Sequence, residues 1–207
     1  DANAKHLKRI PVSFERKGII HDLQITENYV VIFYAPAFHS VEKAMKGENP
    51  FMWEPEQGTR IIAIPRDGSG DNIVFETDAF FSWHFCNGFE QGGKIIIDYV
   101  WINSIPFTQE QGTGVEKQAR RMYRMTLDKA SKQVTNEPFS DVFCEFSRID
   151  ERRMGKDYRY GFAASSNRDW GDAHGYNCTG RFDFTTGETA LWEYGPEANA
   201  GEPVYVP

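Results

Sequence analysis

The chain has 207 residues and a formal net charge of -7, with 40% hydrophobic and 26% charged residues. This composition is typical of a soluble globular protein, so we expect a single domain over residues 1–207. A domain this acidic lacks the broad basic face that phosphate backbones require, which excludes nucleic acid as the expected partner. No apolar run approaches the length of a membrane span, although contact with a membrane surface stays open.

The cysteines and the N-terminus bear on cellular location. Cys86, Cys144 and Cys178 are far apart and odd in number. This pattern is typical of reduced thiols rather than of a disulfide framework. The chain begins with Asp1 and shows no signal peptide, so we expect a trimmed or internal start. Together these features predict a cytoplasmic protein.

Short β-rich runs bounded by turn residues dominate the chain and predict an all-β fold. The predicted strands are 18–26, 29–35, 59–65, 73–76, 80–85, 94–102, 121–128, 158–164, 181–184, 189–194 and 203–206. Residues 115–121 predict a turn of helix. Two long loops, 38–49 and 107–118, are expected to cover or shape a site.

Three hairpins resemble one another and begin at Arg60, Arg124 and Arg181, so the pattern recurs roughly every sixty residues. This period fits four-stranded propeller blades with long loops and favours a β-propeller. A β-sandwich remains the alternative at this point, because similar hairpins occur in any all-β protein.

The sequence contains five histidines, of which His21 and His84 stand in apolar, β-rich surroundings. Either one alone is more simply explained as a core histidine bonded to the backbone. His6 and His174 stand among polar residues, and His39 lies in a long loop, so these three indicate surface positions.

Two glutamates stand in unusual surroundings. Glu145 is flanked by apolar residues, and Glu202 lies close to the end of the chain. A buried glutamate needs a partner, and a metal-bound imidazole with a free N–H is one suitable choice. Taken on the residues alone, an ion pair of Glu145 with Arg148, Arg152 or Arg153 is favoured. No zinc-site, P-loop or nucleophile-elbow motif is present.

Four segments nevertheless resemble, in order and over nearly the whole chain, signatures of the carotenoid cleavage oxygenase family. They are residues 20–29, 83–90 with the strand 94–99, 145–150 with 158–161, and 201–207. The sequence around residues 59–61 and 197–202 is more similar to the bacterial and fungal lignostilbene-cleaving branch than to animal retinoid enzymes. Ser147 departs from the family's usual proline, and Gly88-Phe89 departs from the commoner Ala-Tyr.

The resemblance implies a seven-bladed β-propeller, of which this chain would cover about three blades, with Fe(2+) held on the axis by four histidines. By motif, His21 is similar to the second ligand and His84 to the third. Glu145 and Glu202 are similar to two glutamates that hydrogen-bond to the ligands from behind. We expect Glu145 to support His84, and Glu202 to support a fourth histidine. The first ligand is expected before the chain begins and the fourth after it ends.

The implied function is a dioxygenase that cleaves a C=C double bond of a small hydrophobic alkene with O2 to give aldehydes. A stilbenoid or phenylpropanoid substrate is favoured over an apocarotenoid. Two alternatives stay open: a non-catalytic propeller that only binds, and an isomerohydrolase-like member of the same fold. Phe81, Trp83 and Phe85 are candidates to pack near the iron, but alternate strand residues point in opposite directions, so not all can line it.

The 207-residue chain contains only two of the four implied ligands. We therefore expect it to be inactive alone and to bind iron weakly or not at all. An interrupted propeller also leaves strand edges unpaired, which predicts aggregation.

Overall fold

A computed structural model describes residues 6, 8–105, 119–167, 175–195 and 197–206. In these residues the regular structure is almost entirely β, apart from a five-residue α-helix and short 3-10 turns. No helix in the described ranges is long and apolar enough to cross a membrane. The strands group into three units of four, which follow one another along the chain.

The first unit is an antiparallel sheet. Its strands, in spatial order, are β1 (Gln24–Ile25), β2 (Tyr29–Tyr34), β5 (Thr59–Pro65) and β6 (Ile73–Thr77). Between β2 and β5 the chain forms a separate hairpin of β3 (Ala37–His39) and β4 (Phe51–Trp53), joined through helix α1 (Val41–Met45). The Ser40 side chain caps this helix by accepting a hydrogen bond from the N–H of Lys43. The predicted loop 38–49 therefore belongs to a structured arm.

The second and third units share one strand. The continuous ladder consists of β7 (Phe85–Gln91), β8 (Lys94–Ile102), β9 (Arg120–Asp128), β10 (Val134–Arg148), β11 (Tyr160–Ser166), β12 (Cys178–Asp183) and β13 (Glu188–Glu193). The first part of β10 pairs with β9 as far as Phe143, and the last part pairs with β11 from Phe143 onward. β10 is thus the outer strand of the second unit and the inner strand of the third.

The three similar hairpins occupy equivalent places. The one that begins at Arg60 is β5–β6, the one at Arg124 is β9–β10, and the one at Arg181 is β12–β13. Each is the third and fourth strand of its unit. The recurrence in the sequence is therefore a structural repeat.

Two layers of buried side chains join the three four-stranded units face to face. Between the first and second units lie Phe33, Ile61, Phe75, Ile95, Ile97 and Tyr99. Between the second and third lie Val100, Ile102, Met122, Cys144, Ala163 and Phe182. Odd and even residues of β8 thus face opposite neighbours, as the alternation of a strand requires. The inner strands β1 and β10 both lie against β7. Successive four-stranded sheets packed in this way are blades of a β-propeller, which confirms the predicted fold class.

Four local predictions were wrong. Residues 80–85 are not a strand, because β7 begins at Phe85 and Phe81 makes only an isolated bridge to Ile102. In the predicted strand 18–26, only Gly18, in an isolated bridge, and the two residues of β1 pair with another strand. Residues 203–206 form no regular structure. Finally, the long β10 was missed, because its first half is polar and partly solvent-facing. The predicted loop 107–118 and most of the predicted helical turn lie outside the described residues.

A buried polar cluster lies between the second and third units. Asp98 on β8 is fully buried and accepts two hydrogen bonds from Arg124 on β9, at 2.8 and 2.9 Å. The hydroxyl of Tyr158, which lies just before β11, donates a hydrogen bond to Asp98 Oδ2 at 2.7 Å. Burial raises the pKa of Asp98, and the bonds from Arg124 and Tyr158 only partly offset that effect. The cluster therefore links strands of two blades.

Candidate metal centre

The candidate residues stand where three inner strands meet. His21 precedes β1, His84 precedes β7, and Glu145 lies on the inner half of β10. The imidazole rings of His21 and His84 are 5.2 Å apart between centroids and perpendicular, at 87°. With metal–nitrogen bonds of about 2.1 Å, two ligand rings on one ion reach a similar separation. The fold therefore brings together two histidines that are 63 positions apart in the sequence.

His84 is held from behind by a buried carboxylate. Its Nδ1 lies 2.6 Å from Oε2 of Glu145, whose side chain is 1% exposed. A carboxylate at that distance accepts a hydrogen bond from Nδ1–H, which keeps the proton on Nδ1 and leaves Nε2 with its lone pair free. The expected contact between Glu145 and His84 is present. The arginine partner that the residues alone favoured for Glu145 is wrong.

A bulge in β10 directs this carboxylate. The register of β10 against β11 shifts between Glu145 and Arg148, and Phe146 has a positive φ of 56°. The N–H of Phe146 donates to Glu145 Oε2 at 2.7 Å, and its ring lies 5.0 Å from that of His84. Bulges re-aim side chains, and strained backbone often accompanies functional sites. Here the bulge places one carboxylate oxygen against both donors.

The electrostatics of His84 follow from this contact. Partial burial of the ring lowers the pKa of His84, but the hydrogen bond and the charge of Glu145 outweigh it, so the pKa is raised. Asp22 and Glu202 raise it further from a distance. The surroundings of the ring therefore favour a positive charge at this position, whether it is carried by a proton or by a metal ion.

Asp22 connects the two histidine-bearing segments, a role that was not predicted from the sequence. Its Oδ1 accepts from the N–H of Leu23 at 2.7 Å, and its Oδ2 accepts from the N–H of Phe85 at 3.2 Å. The carboxylate thus joins the backbone of Leu23, two residues after His21, to the backbone of Phe85, the residue after His84. The adjacency of Asp22 to His21 was the only signal in the sequence.

Of the three aromatic candidates, the structure brings only Trp83 to the histidines. Its ring lies 4.9 Å from that of His21. Phe81 and Phe85 are buried in the two inter-sheet layers instead. Phe146 contacts His84, and the ring of Tyr176 lies 5.9 Å from the ring of Phe146. Burial raises the pKa of the Tyr176 hydroxyl to about 12, so the phenol stays protonated.

Glu202 does not have the buried setting of Glu145. Its side chain is 42% exposed, and its Oε1 lies 2.6 Å from the guanidinium of Arg148. It lines an open groove of about 730 Å³ whose wall is largely formed by residues 198–206. Of the other histidines, His6 and His39 are exposed as expected, His21 is also exposed rather than buried, and His174 lies outside the described residues.

The donor set fits a metal such as Fe(2+), but only in part. Neutral imidazole nitrogens suit iron as well as zinc and copper. Glu145 Oε1 is buried without a hydrogen-bond partner, so the described hydrogen bonds of this carboxylate, from His84 and Phe146, both go to Oε2. In the described part of the chain no three residues among His, Cys, Asp and Glu form a group able to hold an ion. The two histidines are therefore compatible with half of the four-histidine site that the resemblance implies.

Comparisons with known proteins agree with this fold. A family model described as "Retinal pigment epithelial membrane protein" matches residues 1–207. Isoeugenol monooxygenase of Pseudomonas nitroreducens is 32% identical over 204 residues, covering 92% of this chain and 43% of that protein. Apocarotenoid-15,15'-oxygenase of Synechocystis is 28% identical over 219 residues, covering 100% and 44%. The crystal structure of cobalt-substituted Synechocystis apocarotenoid oxygenase matches with a TM-score of 0.83 at 27% identity, covering 92% of this chain and 41% of that one.

The fold and the family match thus define part of a β-propeller. The chain belongs to the carotenoid cleavage oxygenase family that this family model describes. It spans less than half the length of the curated relatives it matches.

Proposed function

We propose that the full-length protein carrying this chain cleaves a C=C double bond of a small hydrophobic alkene with O2, at Fe(2+) held in part by His21 and His84. The observation that carries the proposal is the 2.6 Å contact between His84 Nδ1 and Glu145 Oε2, beside the ring of His21. Imidazoles oriented by carboxylates are a recurrent way of holding a catalytic metal. The existence of a cobalt-substituted form of the Synechocystis relative supports the proposal, because cobalt substitution implies a replaceable metal in that protein.

Each residue has a defined task in this proposal. Glu145 accepts a hydrogen bond from His84 Nδ1–H and so keeps the proton on Nδ1. The neutral Nε2 is then free to bind the metal. Asp22 keeps the segments of His21 and His84 in register through the N–H of Phe85. Iron(II), when bound, supplies the binding and activation of O2. Cleavage of the double bond then gives two carbonyl products, and in a dioxygenase each receives one atom of the same O2.

We propose a stilbenoid or phenylpropene as substrate ahead of an apocarotenoid. Isoeugenol, in the name of a relative at 32% identity, is a phenylpropene, and the apocarotenoid oxygenase is 28% identical. Trp83 contacts His21 and Phe146 contacts His84, and both rings offer flat apolar surfaces to an aromatic alkene. The apocarotenoid remains the second candidate because that relative aligns over the whole chain.

The test uses the full-length protein, purified and loaded with Fe(II). It is incubated separately with a hydroxystilbene, isoeugenol and an apocarotenal under 18O2, and aldehydes are identified by mass. We expect aromatic aldehydes, and label in both products of the stilbene indicates a dioxygenase. Label in only one product would indicate monooxygenase chemistry. Aldehydes only from the apocarotenal would overturn the substrate preference.

Two further outcomes separate the alternative functions. A product that forms equally well without O2 would indicate an isomerohydrolase-like enzyme. Absence of iron binding and of all products would favour a binding propeller. His84→Ala serves as the matched control, because under the proposal it abolishes turnover, whereas in a binding propeller it alters stability alone.

A further inference from the structure

The segment between β10 and β11 grips the strand that follows His84. Asn87 on β7 is 1% exposed, and its Nδ2 donates to the carbonyl oxygens of Arg153 and Lys156 at 3.2 and 3.0 Å. Its Oδ1 accepts from the N–H of Gly155 at 3.0 Å. These three hydrogen bonds of the amide all go to the neighbouring blade, within residues 153–156. The strand of His84 and the blade of Glu145 are fastened together at this point.

One residue earlier, Cys86 makes a second connection to the same blade. The Tyr158 hydroxyl lies 3.5 Å from Cys86 Sγ and 2.7 Å from Asp98 Oδ2. A phenol has one proton, and the short distance assigns it to the carboxylate. Asp98 is itself fixed by the two bonds from Arg124. The Tyr158 side chain is thus fixed in place and contacts the Cys86 side chain.

Cys86 is also the position at which β7 departs from regular pairing. Phe85 pairs with Tyr99, but Asn87 pairs with Asp98, so Cys86 is an extra residue in the ladder. Behind it, Gly161 leaves no spare room, since a β-carbon there would lie 2.7 Å from Cys86 Sγ. The bulge lies two residues beyond His84, and a bulge changes the direction of the chain that enters the strand. The contacts of Cys86 therefore bear on where the His84 ring points.

We propose that Tyr158 is a positioning residue for His84. Tyr158, fixed by its hydrogen bond to Asp98, holds the bulge at Cys86 in place, and the bulge in turn directs the His84 ring toward Glu145. This inference rests on the proposed metal centre for its effect on iron, but the geometry that it concerns exists without a metal. Tyr158 lies more than 70 positions from His84 in the sequence and on the other blade. It acts through the bulge rather than by touching a ligand.

The test compares Tyr158→Phe with Tyr160→Phe in the full-length protein. Tyr158→Phe removes only the hydroxyl and keeps the ring packing on Phe89 and Phe184, while Asp98 retains Arg124. Tyr160, at the start of β11, is 36% exposed and its ring lies beside Arg159 and Arg181, so it offers the same chemical change away from the bulge.

The first readout needs no metal. In the apo protein, the imidazole proton between His84 and Glu145 is followed by proton NMR and assigned by its loss in His84→Ala. We expect this resonance to shift or broaden in Tyr158→Phe and to stay in place in Tyr160→Phe. An unchanged resonance in Tyr158→Phe would overturn the inference, even if the protein is an iron oxygenase.

The second readout is the affinity for Fe(II), from competition with a chelator under anaerobic conditions. We expect roughly tenfold weaker binding in Tyr158→Phe, at the lower end of the effect of residues behind a ligand, and no change in Tyr160→Phe. Affinity within twofold of the parent would count against the inference. If the parent binds no iron, the proposed function fails while the NMR comparison still decides the role of Tyr158. Should Tyr158→Phe not fold, Cys86→Ala removes the thiol at the bulge and is expected to give the same two changes.

Discussion

Replacement of Glu145 tests the proposed metal centre most directly, because one buried oxygen serves two donors. Oε2 lies 2.6 Å from His84 Nδ1 and 2.7 Å from the N–H of Phe146. In the full-length protein, Glu145→Gln keeps an acceptor oxygen but removes the charge, and a neutral hydrogen bond is about half as strong as a charged one. We expect Fe(II) affinity to fall roughly tenfold, which is about 1.4 kcal/mol.

Glu145→Ala removes the acceptor altogether. The N–H of His84 then has no oriented partner, and we expect affinity to fall roughly a hundredfold, or about 2.7 kcal/mol. The N–H of Phe146 is left unpaired as well, beside a strained backbone with φ of 56°. This second loss is expected to lower the free energy of unfolding by about 1–3 kcal/mol.

Chelator competition with Fe(II) under anaerobic conditions measures the affinities, and urea titration measures the stability. Glu188→Gln, on the exposed outer strand β13, serves as the control for removing one negative charge and is expected to change neither. The reasoning is refuted if Glu145→Ala binds iron within twofold of the parent, because the carboxylate would then have no part in holding His84.

Three further predictions concern packing, thiols and an ion pair. Gly161→Ala would place a β-carbon 2.7 Å from Cys86 Sγ, so we expect about 1–3 kcal/mol lower stability in urea titration; an unchanged midpoint would contradict the packing. All three cysteines are free and buried, and burial raises the pKa of the Cys86 thiol, so Ellman's reagent should react with none until denaturant is added. Rapid reaction in native buffer would contradict this. Arg148 and Glu202 pair with side chains 50% and 42% exposed, so Arg148→Ala should cost less than about 1 kcal/mol, and a larger loss that resists high salt would be inconsistent with a surface pair.

The hairpins β5–β6 and β12–β13 were predictable because they carry their own signals, whereas the polar first half of β10 does not. β5 begins and ends where the isoleucine-rich run Thr59–Pro65 predicts, and Gly68 and Gly187 mark the hairpin turns with positive φ. The inner strands gave weaker signals. β1 is only two residues long, and the aromatic run 80–85 resembled a strand because Phe80, Phe81 and Phe85 are buried in the two layers between the units. Buried apolar residues do not need to be in a strand, and period alone does not separate the two.

The site was only partly readable from the sequence. His21 and His84 each had a simpler explanation as core residues, and only the family resemblance joined them. Glu145 had three arginines nearby in sequence, whereas its partner is 61 positions away, since chain proximity does not determine which groups a propeller brings to its axis. The positive φ of Phe146 was not foreseeable, because non-glycine residues rarely adopt it.

The strand shared by two blades makes the two junctions of this chain unlike each other. From the first blade to the second the backbone runs through the irregular connection 78–84, which holds a single isolated bridge. From the second to the third it stays inside β10, which is hydrogen-bonded on one side and then on the other without leaving the sheet. A protein engineer who permutes this chain, or exchanges a blade with a relative, can therefore cut the first junction within residues 78–80, ahead of the bridge at Phe81 and of His84, without dividing a strand. At the second, every cut severs a strand that two blades need in order to be complete.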